Sequence, residues 1–189
     1  METNKAVFLD RDGTIIQDKG YMHKPEDLEF ITGATDAIKK LNKHNYLVLV
    51  VTQQSGIGRG YYTEEQYHTF NEQFLKKTEH AGAKIDKTYY CPHHPTKGVG
   101  RYLQNCECKK PKTGMIQQAT QDYQIALAKS WVIGDKTCDI KMGENAGCRT
   151  ITVKTGRAGA DGEHQTNPTY IAKDLPEAVE IILKDDNIQ

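Results

Sequence analysis

Short apolar segments alternate along this chain with longer segments whose apolar residues recur three or four positions apart. Residues 46–51 form a near-continuous apolar run, which is typical of a strand buried on both faces of a parallel sheet. Residues 33–44 and 63–81 show instead the spacing of a helix with one apolar face. Thr63, with a glutamine three residues later, predicts a capping box at the start of the second helix. With a first strand at residues 5–9, this part of the chain predicts two strand–helix units.

The same alternation continues to the end of the chain. Further strands are predicted at residues 87–91, 130–133, 150–153 and 170–172, further helices at 112–123, 136–146 and 175–183, irregular segments at 92–111 and 155–168, and a frayed tail at 184–189. This order predicts an α/β fold, a three-layer sandwich with a mainly parallel, Rossmann-like sheet in one domain, residues 1–189. Ligands of such folds bind beyond the carboxyl ends of the strands, so the residues after each strand carry the functional information.

Composition narrows the class of protein without indicating an activity. The 189 residues include 25 basic and 25 acidic side chains, and this balance argues against a general nucleic-acid binder. No apolar run approaches the roughly 20 residues that a membrane span needs, and no secretory signal opens the chain. We therefore expect a cytosolic protein. We also expect a monomer, because no apolar stripe of the sequence demands a second copy.

Two carboxylates directly follow the first predicted strand. Asp10 and Asp12 are one residue apart, and Gly13 comes next. Like charges this close repel each other unless a cation lies between them, and Mg²⁺ takes oxygen ligands of this kind. A turn built from aspartate and glycine explains the same motif equally well when it is taken alone.

Groups that suit a phosphate lie next to other predicted strands. Thr52 comes after the second strand, in a glycine-rich turn whose free N–H groups suit phosphate oxygens. Lys110 precedes a helix and can carry a point charge into a site. Asp135 follows the fourth strand, and Asp139 lies one helical turn further on the same face. A plain turn, a surface lysine and a helix N-cap explain them singly, but their common place at one sheet edge favours a phosphate site.

One superfamily shares this ordered set of residues. The chain resembles the haloacid dehalogenase phosphatases in Asp10-x-Asp12-Gly13-Thr14, Thr52, Lys110 and Gly134-Asp135-x-x-x-Asp139. The resemblance implies the fold of that superfamily, here without a cap domain, and a mechanism in which Asp10 is the nucleophile. It implies that Asp12 is the general acid and base, and that Thr52 and Lys110 hold the phosphoryl oxygens. Asp135 would join Asp10 and the backbone carbonyl of Asp12 in binding Mg²⁺.

Cysteine and histidine residues cluster in and beside the irregular segment after the third strand. Cys91-x-His93 and Cys106-x-Cys108 supply three thiolates and an imidazole, the ligand set of a closed structural Zn²⁺ site. In a reducing compartment, clustered cysteines are better explained as metal ligands than as disulfides. His94 competes with His93 for the imidazole role, and the tighter spacing favours His93. Free surface thiols are the alternative explanation.

Within the superfamily, this zinc loop resembles two related branches, one acting on heptose bisphosphates and one on histidinol phosphate. Other loops are similar to the heptose branch, which implies hydrolysis of the 7-phosphate of a heptose 1,7-bisphosphate in the supply of nucleotide-activated heptose. By the same similarity, the substrate is contacted by Arg11, Asp18, Lys19, Gly20, Tyr21, Gln53, Gln54, Ser55, Arg59, Lys109 and Lys136. Gln53 and Lys109 stand where this branch usually has asparagine and arginine, which leaves the anomer of the sugar open.

Two rival functions stay open at this point. A zinc-bearing binding module without catalysis would keep the cysteines and His93 but would not need Asp10, Asp12 and Asp135, and all three are present. A phosphotransferase or mutase would pass the phosphoryl group to an acceptor other than water. Such enzymes commonly carry a water-excluding cap, for which this chain has little room.

Overall fold

Six parallel strands form the centre of the protein. The structure is a computed structural model and describes residues 3–186. The strands are β1 (Ala6–Leu9), β2 (Leu47–Gln53), β3 (Lys87–Cys91), β4 (Trp131–Gly134), β5 (Arg149–Val153) and β6 (Tyr170–Ala172). They pair in the order β3-β2-β1-β4-β5-β6, and every pair is parallel. The predicted parallel α/β sheet is therefore confirmed.

Helices connect these strands. They are α1 (Ala34–Lys43), α2 (Ser55–Gly58), α3 (Glu64–His80), α4 (Gly114–Tyr123), α5 (Thr137–Ala146) and α6 (Leu175–Asp186), with 3₁₀ turns at Pro25–Asp27, Gly100–Tyr102 and Leu127–Lys129. The capping box predicted at Thr63 is confirmed at the start of α3. Helix α2 was not predicted, because four residues are too few to show a helical period. None of the described helices is both long and apolar enough to cross a membrane.

The end of α6 corrects one prediction. Residues 184–186 were expected to fray, but they continue the helix, and residues 187–189 lie outside the described part of the chain. The carboxylate of Asp186 accepts hydrogen bonds from the ammonium of Lys5 and the hydroxyl of Tyr46. These contacts hold the last helical turn against the sheet, and the period of apolar residues does not reveal them.

Side chains alternate between two apolar layers on the two faces of the sheet. In β1, Val7 and Leu9 belong to the cluster that includes α1 and α6, whereas Ala6 and Phe8 belong to the cluster that includes α4. All four are fully buried. A strand covered on both faces needs apolar residues at every position, which explains the near-continuous apolar runs. The predicted three-layer sandwich is confirmed.

The strand order places two loops side by side at the centre of the sheet. The chain moves outward in one direction from β1 to β2 and β3, and in the other direction from β4 to β5 and β6. At such a reversal the loops after the two central strands diverge and leave a crevice, which is where open α/β sheets bind ligands. Asp10 follows β1 and Asp135 follows β4 at this point. No separate cap domain covers the crevice within residues 3–186, as expected.

Candidate active site

A buried cluster of three carboxylates and one lysine lies at the reversal point. One carboxylate oxygen from each of Asp10, Asp135 and Asp139 lies within 4.8 Å of the others. The ammonium of Lys110 donates hydrogen bonds to Asp10 Oδ1 at 2.7 Å and to Asp139 Oδ1 at 2.6 Å. The predicted residues Asp10, Lys110 and Asp135 are thus brought together. Asp139, noted in the sequence for its helical spacing from Asp135, is the fourth member.

The charges of this cluster are not balanced. Burial raises the pKa of Asp10 well above its ordinary value, and Asp139 and Asp135 add to the rise against the opposing charge of Lys110. Burial and the neighbouring Asp139 likewise raise the pKa of Asp135 to about 6. Burial alone would lower the pKa of Lys110, but its two ion pairs outweigh burial and keep the lysine protonated. Lys110 and the nearby Lys136 both oppose these rises, yet the pKa values stay raised, so the cluster favours a bound proton or a cation.

Two glycines make room for the carboxylate of Asp135. A Cβ atom at Gly156 would lie 2.2 Å from Asp135 Oδ2, and one at Gly13 would lie 2.6 Å from the same atom. The backbone N–H of Arg157 donates to Oδ2 at 2.7 Å. The other oxygen, Oδ1, is buried and has no hydrogen-bond partner among the described residues. A buried carboxylate oxygen without a donor suits a cation, so the donor set fits Mg²⁺, which prefers oxygen ligands.

Asp12 lies apart from this cluster and is held by other residues. Its carboxylate accepts hydrogen bonds from Arg11 Nε at 2.8 Å and from Gln54 Nε2 at 2.9 Å. Gln54 Nε2 also donates to Thr52 Oγ1 at 2.7 Å. Burial would raise the pKa of Asp12, but Arg11 and these hydrogen bonds lower it below its ordinary value. Asp12 is therefore anionic before a ligand binds.

Arg11 corrects a prediction. It was expected to contact substrate, but its side chain is fully buried and does not line the cavity. Its guanidinium lies over the rings of Phe70 and Tyr67, with 4.8 Å and 5.7 Å between Cζ and the ring centroids. Arg11 turns inward between Asp10 and Asp12, its neighbours on both sides, which line the cavity.

A cavity of about 730 Å³ opens above the strand ends. Its walls include the predicted residues Asp10, Asp12, Asp18, Lys19, Gly20, Tyr21, Thr52, Gln53, Gln54, Ser55, Arg59, Lys109, Lys110 and Lys136. They also include Asp139, which belongs to the sequence motif, and residues that we did not predict as site residues, namely Met22, Gly56, Tyr62, His94, Cys138, Gly156, Arg157 and Glu163. Several of these lie on the glycine-rich loop after β5, for which the sequence carries no chemical motif.

A second polar group lines the same cavity and consists of Arg59, His94 and Lys109; we call it the Arg59 group. The backbone N–H groups of Thr96 and Lys97 point at His94 Nδ1, at 3.3 Å and 2.9 Å. Nδ1 is therefore an acceptor, and in a neutral imidazole the proton must be on Nε2. Burial first, and then Arg59 and Lys109, lower the pKa of His94 and favour this neutral form.

The Arg59 group presents donors without acceptors. Arg59 Nη2 lies 2.9 Å from His94 Nε2. Arg59 Nε is buried without a hydrogen-bond partner in the described part of the chain. Within residues 3–186, neither Arg59 nor Lys109 forms an ion pair with a carboxylate. Donors arranged in this way suit an anion that accepts from several of them.

The predicted zinc ligands converge in a separate place beside β3. The Sγ atoms of Cys106 and Cys108 are 3.0 Å apart, and those of Cys91 and Cys106 are 3.4 Å apart. His93 Nδ1 lies 3.4 Å from Cys108 Sγ, and all four atoms lie within 4.8 Å of one another. The sulfur atoms are too far apart for a disulfide, whose S–S bond is about 2 Å. The structure thus brings His93 into the cluster, and His94 into the cavity.

Fold and site together define a class of enzyme. A parallel sheet in this strand order, with carboxylates from the ends of its two central strands and a lysine between them, is the arrangement of a haloacid dehalogenase-type phosphatase. A family model for HAD-hydrolase-like proteins matches residues 107–178. This match agrees with the superfamily that the sequence motifs indicated.

Comparison with known proteins narrows the class. The D-glycero-β-D-manno-heptose-1,7-bisphosphate 7-phosphatase of Haemophilus ducreyi is 46% identical over 166 residues, which is 86% of this chain and 91% of that protein. The protein of the same name from Pasteurella multocida is 41% identical over 180 residues, 94% of this chain and 96% of that protein. A crystal structure of D,D-heptose 1,7-bisphosphate phosphatase from B. bronchiseptica, complexed with magnesium and phosphate, is similar with a TM-score of 0.84 at 28% identity, covering 96% of this chain and 99% of that one. The chain belongs to the family of D-glycero-β-D-manno-heptose-1,7-bisphosphate 7-phosphatases.

Proposed function

We propose that the protein hydrolyses the 7-phosphate of D-glycero-β-D-manno-heptose 1,7-bisphosphate and leaves the 1-phosphate in place. The observation that carries this proposal is one cavity with two separate phosphate-binding groups, the cluster around Asp10 and the Arg59 group. A bisphosphate needs two such places, whereas a monophosphate needs one. The names of the relatives supply the heptose and its β anomer.

The transfer begins with Asp10 as the nucleophile. Lys110 donates to Asp10 Oδ1, which orients the carboxylate and offsets its charge as an anionic phosphate approaches. In-line attack of Asp10 on phosphorus forms an aspartyl-phosphate and breaks the bond to the sugar oxygen. Asp12 takes up a proton and gives it to that oxygen, and then accepts a proton from the water that hydrolyses the aspartyl-phosphate.

Thr52 holds a phosphoryl oxygen during this transfer. Its Oγ1 accepts a hydrogen bond from Gln54 Nε2, which leaves the hydroxyl proton of Thr52 for the phosphate. The Lys110 ammonium supplies the second contact to the phosphoryl group. Both groups are buried, so they need little reorganisation when the charge moves.

Mg²⁺ is the proposed cofactor of the transfer. Asp10, Asp135 and the backbone carbonyl of Asp12 would hold it, and the partnerless oxygen of Asp135 supports this assignment. When bound, the ion offsets the charge on the phosphoryl oxygens and on the carboxylates.

The Arg59 group is proposed to hold the 1-phosphate. Arg59 Nε is buried without an acceptor among residues 3–186, Lys109 adds a positive charge beside it, and a phosphate oxygen accepts from more than one donor. Lys19, Tyr21, Gln53, Ser55 and Lys136 line the cavity and are proposed to contact the sugar and its phosphates, together with Asp18 and Gly20. This charge distribution disfavours histidinol phosphate, because a second cationic group would meet Arg59 and Lys109 instead of a carboxylate.

A structural Zn²⁺ is proposed in the Cys91, His93, Cys106 and Cys108 cluster. The four ligand atoms lie within 4.8 Å of one another, and the 3.4 Å between His93 Nδ1 and Cys108 Sγ is close to the separation across a tetrahedral site with metal–ligand distances of about 2.0–2.3 Å. Four protein ligands leave no open position, so the zinc would stabilise the loop and would not take part in chemistry. Monomeric state and cytosolic location stay predictions from the sequence.

The test is phosphate release in the presence of Mg²⁺ from both anomers of heptose 1,7-bisphosphate and from histidinol phosphate. We expect kcat/KM to be highest for the β anomer, with the 1-phosphate retained in the product. Preference for histidinol phosphate would contradict the substrate while keeping the chemistry. The same assay with an added acceptor alcohol separates hydrolysis from phosphotransfer, because transfer would yield a new phosphate ester.

A further inference from the structure

A buried chain of hydrogen bonds leads from the aromatic residues near α3 to the carboxylate of Asp12. The hydroxyl of Tyr62 donates to Gln54 Oε1 at 2.6 Å, and Gln54 Nε2 donates to Asp12 Oδ2 at 2.9 Å and to Thr52 Oγ1 at 2.7 Å. Gln54 is 3% exposed and Tyr62 is 5% exposed. The side chain of Gln54 therefore connects the proposed acid–base residue with a proposed phosphoryl-binding residue.

The direction of every bond in this chain is determined by chemistry. An ionised carboxylate only accepts hydrogen bonds, so the NH₂ group of Gln54 must face Asp12 and its carbonyl oxygen must face Tyr62. The two N–H bonds of Gln54 are used by Asp12 and Thr52, and its oxygen is used by Tyr62. Both N–H groups and the carbonyl oxygen of the Gln54 side chain are therefore hydrogen-bonded before any sugar binds.

Arg11 holds the same carboxylate from the opposite side. Its Nε donates to Asp12 Oδ1 at 2.8 Å, and its Nη2 donates to Oδ2 at 3.1 Å. The guanidinium is itself fixed by packing over Phe70 and Tyr67. Two donors from Arg11 and one from Gln54 leave Asp12 a single place and orientation on the cavity wall.

We propose that Arg11, Gln54 and Tyr62 are positioning residues that present Asp12 to the leaving oxygen of the substrate. This inference rests on the proposed function, in which Asp12 gives a proton to that oxygen. It reassigns Arg11 and Gln54, which the sequence predicted to touch substrate, and it adds Tyr62, which carries no sequence motif. A positioned acid contributes about 10²–10⁴-fold to a reaction rate, so displacement of Asp12 costs part of that factor.

Two small substrates with different leaving groups test the role of Gln54. Benzyl phosphate releases an alkoxide, which needs a proton from Asp12, whereas 4-nitrophenyl phosphate releases a weakly basic phenolate that leaves without one. The value of kcat/KM covers the steps up to departure of the leaving group, so hydrolysis of the aspartyl-phosphate does not enter it. Neither compound has a heptose, so this test stands whether or not the heptose assignment holds.

Gln54→Leu removes both donors at similar volume. We expect kcat/KM for benzyl phosphate to fall about tenfold or more relative to that for 4-nitrophenyl phosphate, within the range of acid catalysis. Asp12→Asn removes the acid itself and therefore shows the largest fall of this ratio, with which the fall in Gln54→Leu is compared. Gln54→Leu also removes the hydrogen bond to Thr52. This loss lowers kcat/KM for both substrates equally and does not change their ratio. An unchanged ratio in Gln54→Leu would overturn the proposal.

Tyr62→Phe provides a milder second variant. It removes one hydroxyl, and we expect a fall of the same ratio by about two- to fivefold, the size of one modest hydrogen bond. In the Gln54→Leu background it should change the ratio no further, because Tyr62 acts only through Gln54. Tyr90→Phe is the matched control, since the Tyr90 hydroxyl bonds Glu64 in the same aromatic region. A ratio lowered equally by Tyr90→Phe, or lowered again by Tyr62→Phe in the Gln54→Leu background, would contradict the proposal.

Discussion

Removal of the proposed zinc is expected to weaken substrate binding more than it slows the chemistry. The segment between Cys91 and Cys108 carries His94, and Lys109 follows it directly. Both belong to the Arg59 group, which is proposed to bind the 1-phosphate. Without the metal, the cluster holds this segment only through weak thiol contacts. The loop would keep contacts such as the hydrogen bond from the Val99 N–H to the Gly58 carbonyl, but we expect it to hold His94 less firmly beside Arg59.

The size of the effect follows from the contacts that are lost. A hydrogen bond to a charged group is worth about 1.5–3 kcal/mol, and 1.4 kcal/mol is a factor of ten in affinity. Loss of one such contact therefore raises KM about 10- to 100-fold. Lys110 is buried and held by its ion pairs with Asp10 and Asp139, so we expect kcat to change by less than about threefold. A cross-link that closes a loop of about 15 residues also adds about 3 kcal/mol to the free energy of unfolding.

The assay compares native protein, chelated protein and the variant Cys108→Ser. Zinc content is measured by elemental analysis, KM and kcat with heptose 1,7-bisphosphate, and loop order by limited proteolysis. Cys148→Ser is the control, because Cys148 is a partly buried cysteine outside the cluster. A zinc-free protein with unchanged KM would refute the reasoning, whether or not its kcat is reduced.

Three further predictions concern the cavity. Asp10→Asn should abolish turnover while the far-UV circular dichroism spectrum is unchanged, and substantial residual activity would contradict its role as nucleophile. Lys109→Arg should lower KM for the heptose bisphosphate about tenfold without changing kcat, because a planar guanidinium forms two hydrogen bonds to one phosphate. The pKa of Asp135 rises from 3.8 to about 6 in the fold, and that of Asp10 also rises. The contribution of these two carboxyl groups to the folding of the metal-free protein is thus fully present below about pH 4 and is lost as the pH rises past their pKa values, whereas Mg²⁺ binds the deprotonated carboxylates. Thermal melts should show a larger Mg²⁺-induced rise of Tm at pH 8 than at pH 5, and a pH-independent rise would be evidence against the site.

The sequence predicted the catalytic end of the cavity because that end is built from strand ends. Asp10 and Asp135 each follow a strand that an apolar run identifies, Thr52 lies near the carboxyl end of β2, and parallel strands bring these ends to one edge. Knowing which residues follow the strands is therefore enough to place them together. The spacing of the cysteines likewise predicted the metal-binding cluster. It favoured His93 over His94, and the structure brings the same four residues together.

The surroundings of these residues could not be predicted in this way. Arg11 lies between two aspartates of the site, and only the aromatic rings of Tyr67 and Phe70, more than fifty positions along the chain, show that it turns inward. Tyr62 reaches Gln54 because a four-residue helix turns the chain back, and no period marks so short a helix. Such contacts depend on packing between elements, which a pattern along one segment does not contain.

In the proposed function, the charges of the cavity are expected to determine which phosphate is transferred. The groups that shift the pKa of His94 are Arg59, Lys109 and Lys97, and those that shift the pKa of Asp10 share no member with them. A phosphate beside Arg59 and Lys109 finds donors but no nucleophile, so it binds without reacting. A phosphate beside Asp10 meets a nucleophile whose buried carboxylate neighbours repel anions until Mg²⁺ offsets them. The second phosphate of a bisphosphate therefore stabilises the complex from the Arg59 group, and we expect it to be the phosphate that the product retains.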